Sequence, residues 1–440
     1  MSEAPVVSER AKQDAEIHPR DWSWVETTIW TERMLAALGN GVKGNKWFSM
    51  IDKVARTDTL QLAWAKVARN RGAAGVDGQS VEKFAARAET YLQELEQAMK
   101  DGRYQPLAVK RVEIPKMPGQ TRPLGIPTVK DRIVQTAVKM VIEPIFEREF
   151  HYCSHGFRPG RSCKDALKEV DRLLRDGNVH VVDADLKGYF DSIPHDKLMQ
   201  QVETRISDGR LLDLIRKYLK QDIMKGTERW TPTGGTPQGA VISPLLANIY
   251  LHPLDVLMAE KGYQMVRYAD DFVVLCKTAE EAQAALAEVK NWVQEAELIL
   301  HPDKTHVGNC LEDGQGFDFL GYRFETGRRW VRKKSLKAIK EKLRSKTGRT
   351  RGVSVKQIID ELNPILKGWF GYFKHANRLE FIRLDGFIRR RLRALLRKQE
   401  KRPGMGRCYA DHIHWPNAFF AGLGLFTLTG AHTLASQSRC

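Results

Sequence analysis

Two short segments hold the residue types that can do chemistry. One reads His180-Val181-Val182-Asp183-Ala184-Asp185-Leu186-Lys187-Gly188-Tyr189-Phe190-Asp191, the other Met265-Val266-Arg267-Tyr268-Ala269-Asp270-Asp271-Phe272-Val273-Val274-Leu275. The first begins as a strand, and a period of two puts Asp183 and Asp185 on one face. In the second, two apolar runs flank a short polar turn, the pattern of a β-hairpin with adjacent aspartates at its tip. Side by side, the segments would gather Asp185, Asp270 and Asp271. Carboxylate oxygens are the hard ligands Mg²⁺ prefers, leaving coordination sites for water and phosphate. Two ions so held can activate a 3′-hydroxyl and stabilise a leaving pyrophosphate, the two-metal route to a phosphodiester bond. An Asp-Asp pair alone is ordinarily just a turn; the flanking apolar strands and the acidic strand upstream argue for a site.

The elements that must position these groups are mixed. A chain of 440 residues is long enough for two or three domains, and 42% hydrophobic with 28% charged residues is ordinary globular composition. Residues 1–20 are polar, unpatterned and expected to be disordered. From 21 to 100 the signals are helical, broken at Arg71-Gly72-Ala73-Ala74-Gly75-Val76-Asp77-Gly78. From 101 to 325, Gly/Pro-punctuated loops, β-branched runs and helices alternate, so the expected class is α+β. A boundary is expected near 325–335, where the composition turns basic, and the tail from about 402 reads as a small appendage.

The net charge of +17 calls for a polyanionic partner. It is localised: residues 323–407 hold 27 Lys/Arg against 7 Asp/Glu, while the rest of the chain is slightly acidic. Phe381, Leu384, Ile388, Leu392 and Leu395 form an apolar helical stripe, with Arg383, Arg389, Arg390, Arg391, Arg393 and Arg397 mostly off it. Ser354-Val355-Lys356-Gln357 has the form of a capping box. The plain reading is a solvated arginine-rich bundle; a charge this large exceeds what solubility needs and points to RNA or DNA.

Six cysteines form no CxxC pair, so reduced thiols are expected. Cys408, His412, His414 and Cys440 fit no recognised zinc spacing. No secretory signal opens the chain, and residues 418–435 are too interrupted by Gly, Thr and His to span a membrane. A soluble cytoplasmic protein, nucleoid- or RNP-associated in a bacterium and without a membrane partner, is expected.

At this point the motifs resemble a known family. Tyr268-Ala269-Asp270-Asp271 is similar to the Y-x-D-D hairpin of reverse transcriptases, and Asp185 with Phe190 to their first catalytic strand. Arg122-Pro123-Leu124-Gly125-Ile126-Pro127, His155-Gly156-Phe157-Arg158-Pro159-Gly160-Arg161-Ser162 and Thr236-Pro237-Gln238-Gly239 resemble finger and palm blocks of group II intron-encoded proteins. Gly75-Val76-Asp77-Gly78 resembles their N-terminal extension, Phe319-Leu320-Gly321-Tyr322 their primer-side block, and Trp369-Phe370-Gly371-Tyr372-Phe373 the maturase (X) domain. The resemblance runs from about 70 to 400 in the expected order.

The resemblance implies a right-hand polymerase: fingers and palm over 21–325, a helical thumb or maturase domain over 326–402, and a short tail over 403–440. It implies an RNA-directed DNA polymerase that also binds its intron RNA as a maturase, promoting splicing and target-primed mobility. Its partners would be group II intron RNA, an RNA template, a DNA primer or target, and dNTPs. Two Mg²⁺ would be held by Asp185, Asp270, Asp271 and the backbone carbonyl of Leu186. Lys116 and Arg122 would grip the triphosphate, unless they are simply an exposed pair. Gln238 would lie beside the nucleotide. Phe190 would sit under the sugar and exclude a 2′-hydroxyl, or else be core. Lys304 would protonate pyrophosphate, and Arg158 and Arg161 would touch template. Arg383, Arg389, Arg390, Arg393 and Arg397 would bind nucleic acid.

The chain shows no paired cysteines or H-N-H-like cluster, so second-strand cleavage is expected to be absent, with mobility through single-stranded or replicating DNA. Two other readings stay open: a splicing cofactor with a relic polymerase site, and a reverse transcriptase recruited to phage defence or spacer acquisition. A relic would tolerate loss of Asp185, Asp270, Asp271, Lys116 or Arg122, and all five are present.

Overall fold

Apolar residues all round the helix Val129–Glu147 make it the buried post of the N-terminal half, with sixteen of its nineteen residues out of solvent. Thr128 caps it, accepting from the Asp131 N–H at 3.1 Å. Its neighbour Thr57–Asn70 presents Leu60, Ala63 and Val67 to the core. The computed structural model describes residues 22–437 apart from 43, 45, 118 and 407, and not the side chains of 116, 117 and 120. The segment 1–20, the Lys116 side chain and Cys440 lie outside the described residues.

The described strands are β1 (Val109–Met117), β2 (Gln120–Ile126), β3 (His180–Asp185), β4 (Ile223–Lys225), β5 (Glu228–Trp230), β6 (Gln264–Tyr268), β7 (Asp271–Cys276), β8 (His306–Asn309), β9 (Phe317–Phe319), β10 (Tyr322–Glu325) and β11 (Arg328–Val331). They form three sheets, ordered β2-β1-β4-β5, β6-β7-β3-β8 and β11-β10-β9. The class is α+β, as the mixed patterning predicts. In the second sheet β6 and β7 are an antiparallel hairpin with Tyr268 opposite Asp271, which leaves Ala269-Asp270 as the two-residue turn. Both strands hold apolar runs buried on both faces, which places Met265, Val266, Phe272, Val273 and Val274 in the core, and the two-residue turn fixes the register.

The chain divides into two compact units, one running to Asn178 and over Val182–Val307, the other from Gly308 onward with Val179–Val181. The division lies ahead of the composition change near 325–335. Across that stretch β10 and β11 form a hairpin turning at Thr326-Gly327, both at positive φ. Hydrogen bonding explains why the hairpin belongs with the helices. Tyr322 Oη donates to the Tyr372 carbonyl, and Tyr372 Oη donates to the Leu320 carbonyl, both at 2.7 Å. Two motifs fifty residues apart are thus tied to each other.

In the second unit the long helices are Lys333–Lys346, Val355–Phe373 and Arg378–Gln399. Ser354 caps the second of these, accepting from Gln357 N–H as the capping pattern predicts. The segment after 402 is no separate appendage. It folds into the helices Tyr409–His414, Asn417–Gly422 and Leu428–Gln437. Buried Asp385 accepts from the Leu428 and Thr429 N–H groups at 3.0 and 2.9 Å, capping the last helix from the middle of another. No described helix is long and apolar enough to cross a membrane. Replacing Asp385 with Ala leaves those N–H groups unmet at a cost of about 1–2 kcal/mol. We expect a lowered melting temperature and new proteolytic cleavage near 423–428; unchanged cleavage would show that the cap does not hold the segment.

Candidate active site

Arg267 lies under the turn of the aspartate hairpin, and its side chain and that of Asp255 are both fully buried. Its guanidinium donates to both Asp255 oxygens, one at 2.6 Å, to Asn248 Oδ1 at 3.0 Å and to the Ala269 carbonyl at 2.9 Å. Ala269 needs that hold, because its φ of +60° is a left-handed conformation that a non-glycine residue adopts at a cost of about 1–2 kcal/mol. Asn248 passes the network on, donating to the Gly156 carbonyl at 2.8 Å. Gly156 must be glycine: a Cβ there would come within 2.3 Å of the Ala269 nitrogen. His155 N–H donates to the Arg267 carbonyl, and Arg267 N–H to the Cys153 carbonyl. Burial and the charges of Arg161 and Arg158 push the His155 imidazole down to about 3, so it is neutral at physiological pH.

Position by position, His155-Gly156-Phe157-Arg158-Pro159-Gly160-Arg161 is therefore a buttress for the hairpin. This corrects the expectation for Arg158. Its side chain is 1% exposed, pairs with both oxygens of Glu147, and donates to the His151 and Ser154 carbonyls at 2.6 and 2.7 Å. It has no free face for a template. Arg161 is half-buried and donates to the Tyr152 carbonyl at 2.6 Å. Phe157 is itself at φ +59°, 46% exposed, with its ring edge-on to Phe190 at 6.2 Å.

Asp185 ends β3, and the strand's two acids each face a side-chain nitrogen from the 304–306 segment. Lys304 Nζ is 2.5 Å from Asp185 Oδ2, and His306 Nδ1 is 3.9 Å from Asp183. Past Asp185, Leu186 bridges Leu300 through the bonds Lys187 N–H to Ile299 O and His301 N–H to Asp185 O, so the Leu186 carbonyl takes no part in that bridge. Burial pushes the Asp270 carboxyl above its ordinary range. Its own backbone N–H opposes this, the charge of Asp185 adds to it, and Arg122 and Arg267 pull it down. Asp185 and Asp270 thus feel each other, while Asp271 is half-buried at the start of β7. Among the described residues no three His, Cys, Asp or Glu side chains form a ready metal cage. That suits Mg²⁺ in part, since it is usually bound by one or two carboxylates with water and substrate phosphates completing the shell. Asp270, its proton affinity raised by burial and by the nearby Asp185 charge, together with Asp185 and the lysine ammonium beside it, is a donor set that fits a divalent cation.

On the other side, Arg122 Nε donates to Gln238 Oε1 at 2.9 Å, and Gln238 Nε2 donates to Asp191 Oδ2 at 3.0 Å. Two residues expected at the nucleotide are therefore joined, with Asp191 as a third that the sequence reading left without a role, although it closes the same motif. The strand and the turn meet backbone to backbone. Gly125 N–H donates to the Gln238 carbonyl, and a Cβ on Gly239 (φ +105°) would meet the Gly125 oxygen at 2.4 Å. Phe190 is half-buried, edge-on to Tyr189 and Phe157, and its carbonyl accepts from Thr236 N–H.

In the second unit the expected nucleic-acid arginines divide. Arg383 is exposed, and Arg389 and Arg390 are half-buried. Arg393 is 2% exposed, donating to the Trp415 carbonyl and Asn417 Oδ1. Arg397 pairs with Asp411 and donates to the Pro403 carbonyl. These two tie down the C-terminal segment, which corrects their assignment.

A hairpin with paired aspartates beside a third acid on a neighbouring strand defines the class, a palm-type nucleotidyltransferase domain. Residues 114–324 match the family model "Reverse transcriptase (RNA-dependent DNA polymerase)", and 336–412 match "Group II intron, maturase-specific domain". The chain is 37% identical to Protein YkfC of Escherichia coli (strain K12), over 57% of this chain and 75% of that protein. It is 40% identical to the group II intron-encoded protein LtrA of Lactococcus lactis subsp. cremoris, over 46% of this chain but 33% of LtrA. A solved partial Cas6-RT-Cas1–Cas2 complex aligns over 56% of this chain and 41% of that one, at 24% identity and a TM-score of 0.36. The chain belongs to the family of group II intron-encoded reverse transcriptases with a maturase domain.

Two predictions test the site's frame. Gly156→Ala should destabilise the protein by about 2–4 kcal/mol, because backbone must move. Gly160→Ala, at φ +70° with open space around it, should cost only about 1 kcal/mol. Equal losses in denaturant titrations would remove the buttress. The second concerns Asp270. With its folded pKa above the unfolded value, the ionised carboxylate disfavours folding above the folded pKa, and that penalty fades as pH falls toward the unfolded pKa of about 3.9. Asp270→Asn should therefore melt above the native protein at pH 7 without divalent cation, and the gap should close near pH 4. A gap independent of pH would disprove the assignment.

Proposed function

We propose that the chain is an RNA-directed DNA polymerase working at Asp185, Asp270 and Asp271, and that it holds its intron RNA as a maturase through the basic helical unit. The observation that carries the reading is Asp270 at a held hairpin turn, where it feels the charge of Asp185, with the Arg122–Gln238–Asp191 chain built onto the same unit. Its partners would be group II intron RNA, an RNA template, a DNA primer or target, and dNTPs. The finger, palm and thumb assignments of 21–325 and 326–402 belong to this reading.

Asp185, Asp270 and Asp271, with the Leu186 carbonyl, would hold two Mg²⁺, which supply activation of the primer 3′-hydroxyl and charge neutralisation at the leaving phosphates. Arg122, with Lys116, binds the triphosphate by exchanging its neutral glutamine acceptor for a charged phosphate oxygen, a stronger bond. Gln238 then keeps Asp191 as its partner and stays in place beside the nucleotide. Phe190, braced by Tyr189 and Phe157, presents a ring where a 2′-hydroxyl would have to fit. Lys304, paired with Asp185, would hold a proton for pyrophosphate. The basic unit binds RNA by phosphate and 2′-hydroxyl contacts, reading shape rather than base sequence.

The test is primer extension on an RNA template with Mg²⁺ and dNTPs, comparing the native protein with the Asp270→Asn/Asp271→Asn double variant and with Phe190→Ala. Extension by the native protein, none by the double variant, and about tenfold or more relaxed discrimination against ribonucleotides in Phe190→Ala are expected. If neither the native protein nor the double variant extends a primer while both bind structured RNA, the splicing-cofactor reading replaces this one.

A further inference from the structure

On the helix Arg378–Gln399, Phe387, Arg390, Arg391 and Ala394 recur at intervals of three and four and so share a face. Phe387 is surrounded by charge: the guanidiniums of Arg344, Arg390 and Arg391 lie over its ring at 5.5, 5.5 and 5.9 Å. Beside it is a cavity of about 160 Å³ lined by Thr347, Arg349, Arg390, Arg391, Ala394 and Met405. Arg391 is fixed in its wall by bonds to the Thr347 hydroxyl and carbonyl. Arg349 reaches Met405 Sδ with one nitrogen, while its Nε is buried without a hydrogen-bond partner among the described residues.

None of these four arginines has a carboxylate within ion-pair distance among the described residues. Elsewhere in the unit Arg351, Arg397 and Arg323 all do. Burial and the charges of Arg344 and Arg390 push the Arg391 guanidinium below its ordinary range, so the cluster repels itself. A ring face offsets part of that repulsion, but it accepts no hydrogen bonds. The cavity thus has rigid donors, uncompensated positive charge and space for a small tetrahedral anion.

We propose that this cavity is a phosphate-binding site, in which Arg349, Arg390 and Arg391 hold one phosphate group by charge-assisted hydrogen bonds, with Phe387 as the platform that keeps the guanidiniums together. It deepens the RNA-binding reading above, since the phosphate would come from a polynucleotide backbone; a free phosphate ion has the same chemistry. Guanidinium forks suit phosphate oxygens bidentately, and each contact to a polynucleotide releases condensed counterions.

The test uses full-length protein and Arg349→Gln/Arg390→Gln, which leaves the Arg391–Thr347 bonds in place. In one arm, melting is followed with inorganic phosphate against chloride at matched ionic strength. In the other, affinity for a structured RNA hairpin is measured from low to moderate salt. The native protein should gain a few degrees with millimolar phosphate, and the variant nothing. The variant should bind RNA about tenfold more weakly at low salt, its log–log salt slope shallower by about 0.7–0.9 for each lost phosphate contact. Its ligand-free melting temperature should be equal or higher, because like charges have been removed; a lower one would mean the arginines are structural and would overturn the site. A response in the RNA arm assigns the phosphate to the backbone, and one in the ion arm alone assigns it to the free anion. If neither arm separates the variant from the native protein, the site falls. Extension by the native protein and not by Asp270→Asn/Asp271→Asn would still leave the polymerase reading standing.

Discussion

The buried pair between Arg267 and Asp255 sets the position of the candidate catalytic hairpin. Taking both charges out of water is expensive, and such pairs are often no more stable than an apolar substitute. Here an apolar substitute would fail for a specific reason. The same guanidinium also satisfies the Ala269 carbonyl and Asn248 Oδ1, two acceptors for which the network described offers no other donor. The pair is better understood as a fixed post than as a source of net stability. It keeps a strained turn in one conformation, and through Asn248 it keeps Gly156 flush against that turn. Arg158, bound to Glu147, then anchors the far side of the buttress.

Around this post the charged groups are arranged so that Asp185 and Asp270 already have cations within reach. Lys304 meets Asp185, and Arg122 and Arg267 moderate Asp270. Arg122 is held by a neutral amide, a weaker acceptor than a phosphate oxygen. Bonds of this kind keep side chains near their working positions and are readily exchanged. Around the site, the buried bidentate pairs are those that hold backbone: Arg267 with Asp255, and Arg158 with Glu147. Bond strength thus separates the frame from the parts that must move.

Much of this was legible in sequence because it is encoded locally. Period two marked the two acids of β3, two apolar runs around a polar turn marked the hairpin, and Ser354 with Gln357 marked a helix start. Arg122 and Gln238 were matched to one site from motifs more than a hundred residues apart, and they are bonded. Less legible were features that depend on burial. Arg158 between Phe157 and Pro159 looks like a surface arginine, and nothing local shows that Glu147, eleven residues upstream, takes it out of solvent. Composition reports where charge begins, near 325–335, whereas the compact unit begins at Gly308 and takes in Tyr322, which exchanges bonds with Tyr372 through aromatic rather than charged residues. Asp191, Asn248 and Asp255 carried no local signal except that Asp191 closes a motif already singled out.

The same distinction bears on the basic segment. A net charge summed over residues 323–407 treats its arginines as equivalent, but its acids are not spread evenly among them. Six of the seven have local tasks: Glu325 with Arg323, Asp360 with Lys356, Glu361 with Arg351 and Lys346, Glu380 near Arg383, Asp385 on two N–H groups, and Glu400 with Arg402. Most of the acids are therefore committed locally, while Arg344, Arg390 and Arg391 meet over Phe387 with no carboxylate within ion-pair distance among the described residues. A surface evolved only for solubility has no physical reason to gather its uncompensated guanidiniums around one ring and one cavity, since self-repulsion favours spreading them apart. Holding them together is sensible only if an anion with several acceptor oxygens spends time among them.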